Sequence, residues 1–161
     1  MENIFINTAA LLQSLHFNIV NEDCHRPWGG FFVIDDSQAE KFAKHFFPEE
    51  NFNTLQNAGK LSPKILMVAP GKRLSWQYHN RRSEIWRCVD GDVAVAFSDT
   101  DKELHQRILK SGDIISLPKG KRHRLIGLNN WGVVAEIWQH TNESQPSDEE
   151  DIVRLQDDFG R

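Results

Sequence analysis

The chain from Pro63 onward is made of short apolar or alternating runs, and Gly, Asp, Asn and Pro residues interrupt these runs at fairly regular intervals. Short strands joined by tight turns are typical of all-β sandwiches and barrels. The pattern predicts eight strands, at residues 64–69, 73–79, 84–90, 92–98, 103–109, 113–117, 122–128 and 132–140. Because turns such as Asp90-Gly91 separate them, we predict a jelly roll or a small barrel whose mouth has room for a ligand.

The residues before Pro63 have a different texture, with apolar residues at helical spacing and polar punctuation between them. We predict these elements there: short helices at 8–15 and 38–47, a strand at 29–35 and a loop at 48–62. The length of the chain and its hydrophobic content of 39% allow one domain with a full core. We therefore assign residues 1–25 to an N-terminal helical extension and 26–161 to one β domain. After a polar connection at 141–150, residues 151–161 regain apolar side chains, so we expect them to dock back on the barrel.

Composition and charge exclude several classes of protein. A net charge of −4 offers no basic face for a nucleic acid, and no stretch is apolar for long enough to cross a membrane. The first residues lack the basic run of a secretory signal. Cys24 and Cys88 are too few for a disulfide framework. We expect a cytoplasmic protein with free thiols and with no nucleic-acid or membrane partner.

Four side chains that can hold a metal lie in two short stretches, SWQYHNRRSEIW and PKGKRHRL. In the first stretch Gln77 and His79 are two residues apart, so on a strand both side chains point to the same face. A polar run long enough for a hairpin turn follows, and it can bring the Glu84 carboxylate back toward that face. His123 comes from the second stretch. The sequence therefore predicts one divalent ion held by Gln77, His79, Glu84 and His123.

The same stretches carry a family resemblance. PGKRLSWQYHNRRSEIWRCVDGDVAV, followed by SGDIISLPKGKRHRLIG, resembles the two motifs of the cupin superfamily. Within that superfamily the chain most resembles the type II mannose-6-phosphate isomerases, which also occur as the carboxy-terminal domain of bifunctional isomerase and guanylyltransferase enzymes. The resemblance extends to RPWGGFFVID near the start and EDIVRLQDDFGR at the end. It covers the chain from Arg26 onward, except for the helix and loop at 36–60.

The resemblance implies an all-β cupin double-stranded β-helix, or jelly roll, with short helices in the N-terminal region. It also implies an aldose–ketose isomerase with one divalent metal ion, Zn, Mn, Fe, Co or Ni, that converts mannose 6-phosphate to fructose 6-phosphate. Two alternatives stay open: an isomerase of a free aldose such as lyxose or mannose, and a non-catalytic sugar-binding cupin. Asn80, Arg81 and Ile85 stand where the family usually has histidine, but these departures spare the four predicted ligands. With no guanylyltransferase part in this sequence, we expect isomerase-like activity alone.

An isomerase of this kind needs a base beside C1 and C2 of the sugar and cations for its phosphate. The candidates for the base are Glu84 and Glu136, the latter on the last long strand. For the phosphate, the resemblance and the forked geometry of guanidinium favour Arg26 and Arg154, with Lys64 and Arg82 as second choices.

Two further assignments concern Gln77 and the outer surface. Instead of binding the metal, Gln77 has the alternative role of hydrogen-bonding a sugar hydroxyl or a metal-bound water.

Trp76 and Tyr78 alternate with the ligand positions and are predicted to face outward. Exposed aromatic side chains often mark a subunit contact, so we expect a homodimer that binds a small sugar or sugar phosphate.

Overall fold

The computed structural model describes residues 3–56 and 59–161, and within them eleven strands form two antiparallel sheets. The helices are α1 (Asn3–Ser14), α2 (Ala39–Phe46) and α3 (Phe52–Leu55), with a short 3-10 helix at Asp36–Gln38. The strands are β1 (Ile19–Arg26), β2 (Gly29–Ile34), β3 (Leu61–Val68), β4 (Trp76–Tyr78), β5 (Arg82–Asp90), β6 (Val93–Ser98), β7 (His105–Leu109), β8 (Ile114–Leu117), β9 (Arg122–Gly127), β10 (Gly132–His140) and β11 (Val153–Gln156).

The two sheets give the predicted jelly roll. The six-stranded sheet has the order β1-β2-β3-β10-β5-β8, and the five-stranded sheet has the order β11-β4-β9-β6-β7. Apolar side chains from both sheets form one shared core, which includes Leu66, Trp86 and Val134 from the first sheet and Val95 and Leu125 from the second. Alternation along the central strands sends every second side chain into this core. The all-β jelly-roll prediction is therefore confirmed.

The helices cover the other face of the six-stranded sheet. Ile65, Ile85 and Ile137 point outward from that sheet and belong to a second apolar cluster, to which α2 contributes Phe42 and Phe46. Helix α1 adds buried side chains to the same cluster. The helix predicted at 38–47 is thus confirmed as α2, and it packs against the back of the sheet that carries the polar site on its other face.

Three segments differ from the sequence-based expectation. The extension at 1–25 is only partly helical, because β1 begins at Ile19 and pairs with β2. Its side chains are mostly polar and exposed, as an edge strand permits, so it lacks the apolar alternation by which strands are recognised. The predicted loop at 48–62 contains α3 and the start of β3. Of the strand predicted at 73–79, only residues 76–78 form a β-strand.

The C-terminal segment docks as predicted. Strand β11 pairs with β4 in the five-stranded sheet. The buried Arg124 guanidinium donates to the Leu74 carbonyl and to Gln156, and Arg73 forms a two-bond ion pair with Asp158. These contacts hold the end of the chain beside the strand that precedes His79.

The outward placement of Trp76 is wrong. Trp76 is only 2% exposed, and its indole nitrogen donates to the Asp101 carbonyl at 2.7 Å. The Arg122 guanidinium lies 4.0 Å from the centre of the Tyr78 ring and covers it. The loop and strand that follow along the chain close over this face, so it offers no exposed aromatic patch. The homodimer therefore stays a prediction without this support. Among the described residues, no helix has both the length and the apolar character needed to span a membrane.

Candidate metal centre

Strands from both sheets bring three of the four predicted ligands together. The turn between His79 and Glu84 joins β4 to β5, which belong to different sheets, so the hairpin predicted there is wrong. His79 directly follows β4, Glu84 lies in β5 and His123 lies in β9, opposite Gln77 in the β4–β9 pair. All three side chains are buried, and their ligand atoms lie within 4.8 Å of one another. Glu84 Oε1 is 2.9 Å from His123 Nε2 and 3.4 Å from His79 Nε2. Two imidazoles and a carboxylate at this spacing could hold a divalent ion.

Hydrogen bonds on the far side of each ring determine which nitrogen faces the site. His79 Nδ1 is 2.7 Å from the Asp151 carbonyl oxygen, and His123 Nδ1 is 2.8 Å from that of Lys121. A carbonyl oxygen only accepts, so each Nδ1 carries the proton and each Nε2 presents a lone pair to the site. This is the arrangement in which histidines bind metals, with a backbone carbonyl fixing the tautomer.

Two buried acceptors in the site have no hydrogen-bond partner within the described residues. They are Glu84 Oε1 and His123 Nε2, which face each other without donor geometry. Opposed lone pairs at this distance repel unless a cation or a proton lies between them. The donor set therefore fits a metal ion on the chemistry of its own atoms.

Arg82 supplies a positive charge at the same point. Its Nε lies 3.3 Å from Glu84 Oε2 and one terminal nitrogen lies 3.2 Å from His79 Nε2, while the guanidinium stacks 3.6 Å from the centre of the Trp138 ring. Burial by itself would raise the pKa of Glu84, but His79, Arg82 and the contact with His123 together hold that pKa well below its usual range. Glu84 is thus an ionised carboxylate in the interior. The lone pair of His79 Nε2 cannot serve both Arg82 and a metal ion.

Gln77 lies beside the three ligands but presents its amide nitrogen to them. Its Nε2 is 3.5 Å from His79 Nε2, and its Oε1 accepts a hydrogen bond from Ser75 Oγ at 2.5 Å. An amide binds a metal through oxygen, so a ligand role requires the amide to rotate by about half a turn. The assignment of Gln77 as a ligand stays a prediction.

Glu136 points into the same interior from β10. Its two oxygens accept hydrogen bonds from the indole nitrogens of Trp86, at 2.6 Å, and Trp138, at 2.9 Å. Burial, reinforced by the negative charge of Glu84, raises the pKa of Glu136 to about 8. A carboxylate with a pKa near neutrality, held by two rigid donors, suits proton transfer.

A cavity of about 90 Å³ is lined by Gln77, Glu84 and Glu136 from this group. Its lining includes all four cations predicted to hold a phosphate, namely Arg26, Lys64, Arg82 and Arg154. Lys64 Nζ lies 4.5 Å from the ring centres of Phe31 and Trp138 and pairs with Glu149 at 3.0 Å. Arg26 pairs with Asp23 at 3.0 Å. The larger surface depression, around Asn53 and Asn142, is open and polar and lies apart from the cluster of ligands.

Sequence reasoning missed four residues of this region. Glu149 and Arg161 line the cavity, while Ser147 and Asp151 are buried behind the ligands. Ser147, Glu149 and Asp151 lie in the acidic run SDEED, whose composition is typical of a solvated connection, and Arg161 lies ten residues beyond it. The only signal in the sequence was the resemblance of EDIVR to the family motif, and it indicates a site without showing which side chain turns inward.

The fold recurs in solved structures of low sequence identity. Oxalate decarboxylase aligns with a TM-score of 0.54 at 15% identity, over 88% of this chain and 31% of that one. Vicilin from Solanum lycopersicum (tomato) aligns with a TM-score of 0.54 at 16% identity, over 82% of this chain and 32% of that one. At this identity the similarity shows the jelly-roll fold alone.

Proteins of similar sequence identify the family of this chain more narrowly than the solved structures do. A mannose-1-phosphate guanylyltransferase of Sinorhizobium fredii is 30% identical over 152 residues, which are 94% of this chain and 23% of that protein. The alginate biosynthesis protein AlgA of Pseudomonas aeruginosa is 29% identical over 125 residues, 78% of this chain and 24% of that protein. The chain thus spans about a quarter of the length of these curated relatives. Residues 35–157 match the family model described as mannose-6-phosphate isomerase C-terminal, and the chain belongs to that family of sugar-related cupin domains.

Proposed function

We propose that this protein is a metal-dependent aldose–ketose isomerase acting on a sugar phosphate, with mannose 6-phosphate and fructose 6-phosphate as its substrate pair. The observation that carries the proposal is the pair of buried acceptors Glu84 Oε1 and His123 Nε2, which have no hydrogen-bond partner among the described residues, together with the carboxylate of Glu136 close to Glu84. A cation site next to a second, weakly acidic carboxylate is what this reaction class requires.

The ion would be held by His79, Glu84 and His123, with Gln77 as a fourth ligand after rotation of its amide. Zn, Mn, Fe, Co and Ni all accept imidazole and carboxylate ligands. When bound, a divalent cation supplies charge stabilisation to the two adjacent sugar oxygens on which negative charge develops during isomerisation. Glu84 is proposed as a ligand rather than as the base, because its low pKa makes it a poor acceptor of protons.

Glu136 is the proposed base. Its pKa of about 8 makes its carboxylate more basic than an ordinary glutamate, and a nearby divalent charge would bring that pKa down toward neutrality. The Trp86 and Trp138 indoles fix both oxygens, so little reorganisation is needed when the proton moves between C2 and C1. The Trp138 ring, stacked on Arg82, closes one side of the cavity.

The phosphate is proposed to bind where Glu149 now meets Lys64. The cavity of about 90 Å³ is smaller than the ~300–1,000 Å³ typical of small-molecule sites, so something in its lining must move to admit a hexose phosphate. Glu149 is the side chain best able to do so, because it is 68% exposed while the Lys64 side chain is only 10% exposed. A phosphate would take the place of the Glu149 carboxylate at Lys64, and Arg154 lines the same cavity.

The test is a coupled isomerase assay on mannose 6-phosphate, free mannose and lyxose, with the metal content measured before and after chelation. We expect turnover of mannose 6-phosphate that chelation abolishes and that one of the candidate ions restores. Arg154→Ala should raise KM for the phosphorylated sugar with a smaller effect on kcat. Arg107→Ala, an exposed arginine on β7, is the matched control.

Other outcomes separate the alternatives. Turnover of free mannose or lyxose, unaffected by Arg154→Ala, would contradict the phosphate assignment and favour a free-aldose isomerase. A protein that holds metal and binds these sugars without converting any of them would be a sugar-binding cupin. Activity that persists after complete removal of metal would overturn the proposal.

A further inference from the structure

We propose that Asp151 is a positioning residue of the metal centre, which fixes both the orientation of His79 and the turn from β4 to β5 that sets His79 against Glu84. The inference deepens the proposed function and rests on its metal site, but it does not depend on the identity of the sugar. Asp151 lies in the segment between β10 and β11, is 6% exposed and belongs to no group of predicted ligands.

The first contact is with the ligand itself. The Asp151 carbonyl oxygen accepts the Nδ1 proton of His79 at 2.7 Å. This hydrogen bond selects the tautomer that leaves the Nε2 lone pair for a metal, and it limits rotation of the ring about its Cβ–Cγ bond. A residue 72 positions along the chain therefore orients the first ligand.

The second set of contacts involves the carboxylate. Asp151 Oδ1 accepts the backbone N–H of Asn80 and Oδ2 accepts that of Arg81, each at 2.9 Å. Oδ2 also accepts the hydroxyl of Ser147 at 2.6 Å. The two backbone donors belong to the turn that joins His79 to β5, so the carboxylate sets the turn that separates His79 from Glu84. Hydrogen bonds to an ionised acceptor are stronger than those between neutral groups.

Ser147 connects the Asp151 carboxylate to Arg82 and His140. Its hydroxyl accepts from Arg82 at 2.9 Å, and its backbone N–H donates to His140 Nδ1 at 2.8 Å. Arg82 in turn contacts Glu84 and His79. The segment from Ser147 to Asp151 is therefore a strap that contacts the turn, the counter-cation and one ligand from behind. These contacts are not needed merely to attach the C-terminal segment to the barrel, because Arg73 and Arg124 already hold that segment on the five-stranded sheet.

The test is a titration of the metal-free protein with Co²⁺ alone. Calorimetry gives the affinity, and the visible absorption of the bound ion reports its environment. Asp151→Asn keeps the backbone carbonyl and the shape of the side chain, but its amide nitrogen cannot accept a hydrogen bond. We expect Co²⁺ affinity to fall about 10–100-fold, with an altered absorption spectrum, as is typical when an outer partner of a metal site is removed. Asp158→Asn is the control, since it makes the same chemical change in the same C-terminal segment while its partner is Arg73.

A second variant covers the case in which Asp151→Asn does not fold. Ser147→Ala removes one donor to the carboxylate and leaves Asp151 in place, so a smaller loss of Co²⁺ affinity is expected in a folded protein. Wild-type affinity and spectrum in folded Asp151→Asn, or an equal loss in Asp158→Asn, would overturn the inference. If the wild-type chain itself binds no Co²⁺, the metal centre fails and the inference fails with it. If the wild-type chain binds Co²⁺ but isomerises no sugar, the proposed function fails, and the comparison of the variants still decides the role of Asp151.

Discussion

The two faces of strands β5 and β10 differ sharply although their residues alternate along the same backbone. On the outer face Ile85 and Ile137 are paired across the strands and lie in the cluster covered by α1 and α2. On the inner face Glu84 is paired with Trp138, and Glu136 lies on the same face of β10, paired with Trp86. The outer face is mainly apolar around this pair, and the inner face carries two buried carboxylates. The apolar packing surface and the proposed metal site are therefore separated by a single residue of register.

The difference has an energetic basis. Burying a carboxylate is unfavourable unless it is paired and hydrogen-bonded, and Glu84 retains one oxygen without a hydrogen bond among the described residues. The apolar outer face offsets such a cost, because each fully buried large side chain contributes about 1.5–3 kcal/mol. Replacements at adjacent positions should consequently affect different properties.

The largest expected effect is on metal binding. His123→Gln exchanges one neutral side chain for another and removes an imidazole that we propose as a ligand. We expect stoichiometric binding of Zn²⁺ or Co²⁺ to be lost, a larger change than the ~10–100-fold typical of an outer partner. Metal content after gel filtration, with unfolding followed in parallel, measures it. Retention of a full equivalent of metal by the folded variant would contradict the assignment of His123 as a ligand.

A replacement on the outer face should do the opposite. Ile85 is next to Glu84, is 2% exposed and packs in the helix-covered cluster. Ile85→Ala should lower the free energy of unfolding by about 2–5 kcal/mol through lost burial and the cavity left behind. Denaturant unfolding measures the loss, and a Co²⁺ titration of the folded variant should give wild-type affinity. A weakened metal site would show that the two faces are coupled.

The smallest effect concerns His140, the last residue of β10, whose ring contacts the first residue of the strap. Burial lowers the pKa of His140, Lys60, Arg81 and Arg82 lower it further, and Asp36 opposes them. Its Nδ1 accepts the Ser147 N–H, so the ring is neutral in the folded state. Because the unfolded chain takes up this proton more readily, stability should be fully present above about pH 6.5 and fall as the pH drops below it.

A variant without a titrating ring checks this. In His140→Asn a carbonyl oxygen can replace Nδ1 as the acceptor without binding a proton. The free energy of unfolding between pH 5 and pH 8 should depend less on pH than that of the wild-type chain. Equal pH dependence of the two proteins would contradict the role of His140.

Much of the fold and part of the site were predictable because their signals are local. The alternation of apolar residues indicated the jelly roll, and helical spacing indicated α2, since both patterns are set by backbone geometry over a few residues. The spacing of Gln77, His79 and Glu84 indicated that these side chains can converge. The structure brings His79, Glu84 and His123 together and places Glu136 and the four predicted cations around one cavity.

Other features depended on contacts between residues far apart in sequence. The polar edge strand β1 exists because β2 is there to pair with it, and Trp76 is buried because Asp101 and its loop fold over it. The inward turn of Asp151, within an acidic run that resembles a solvated linker, is decided by the backbone N–H groups of Asn80 and Arg81. The sequence by itself determined most of the strands after Pro63 and the residues that could bind a metal. Only the tertiary structure decided which groups orient those residues, because a hydrogen bond across seventy or more residues leaves no periodic trace in the chain.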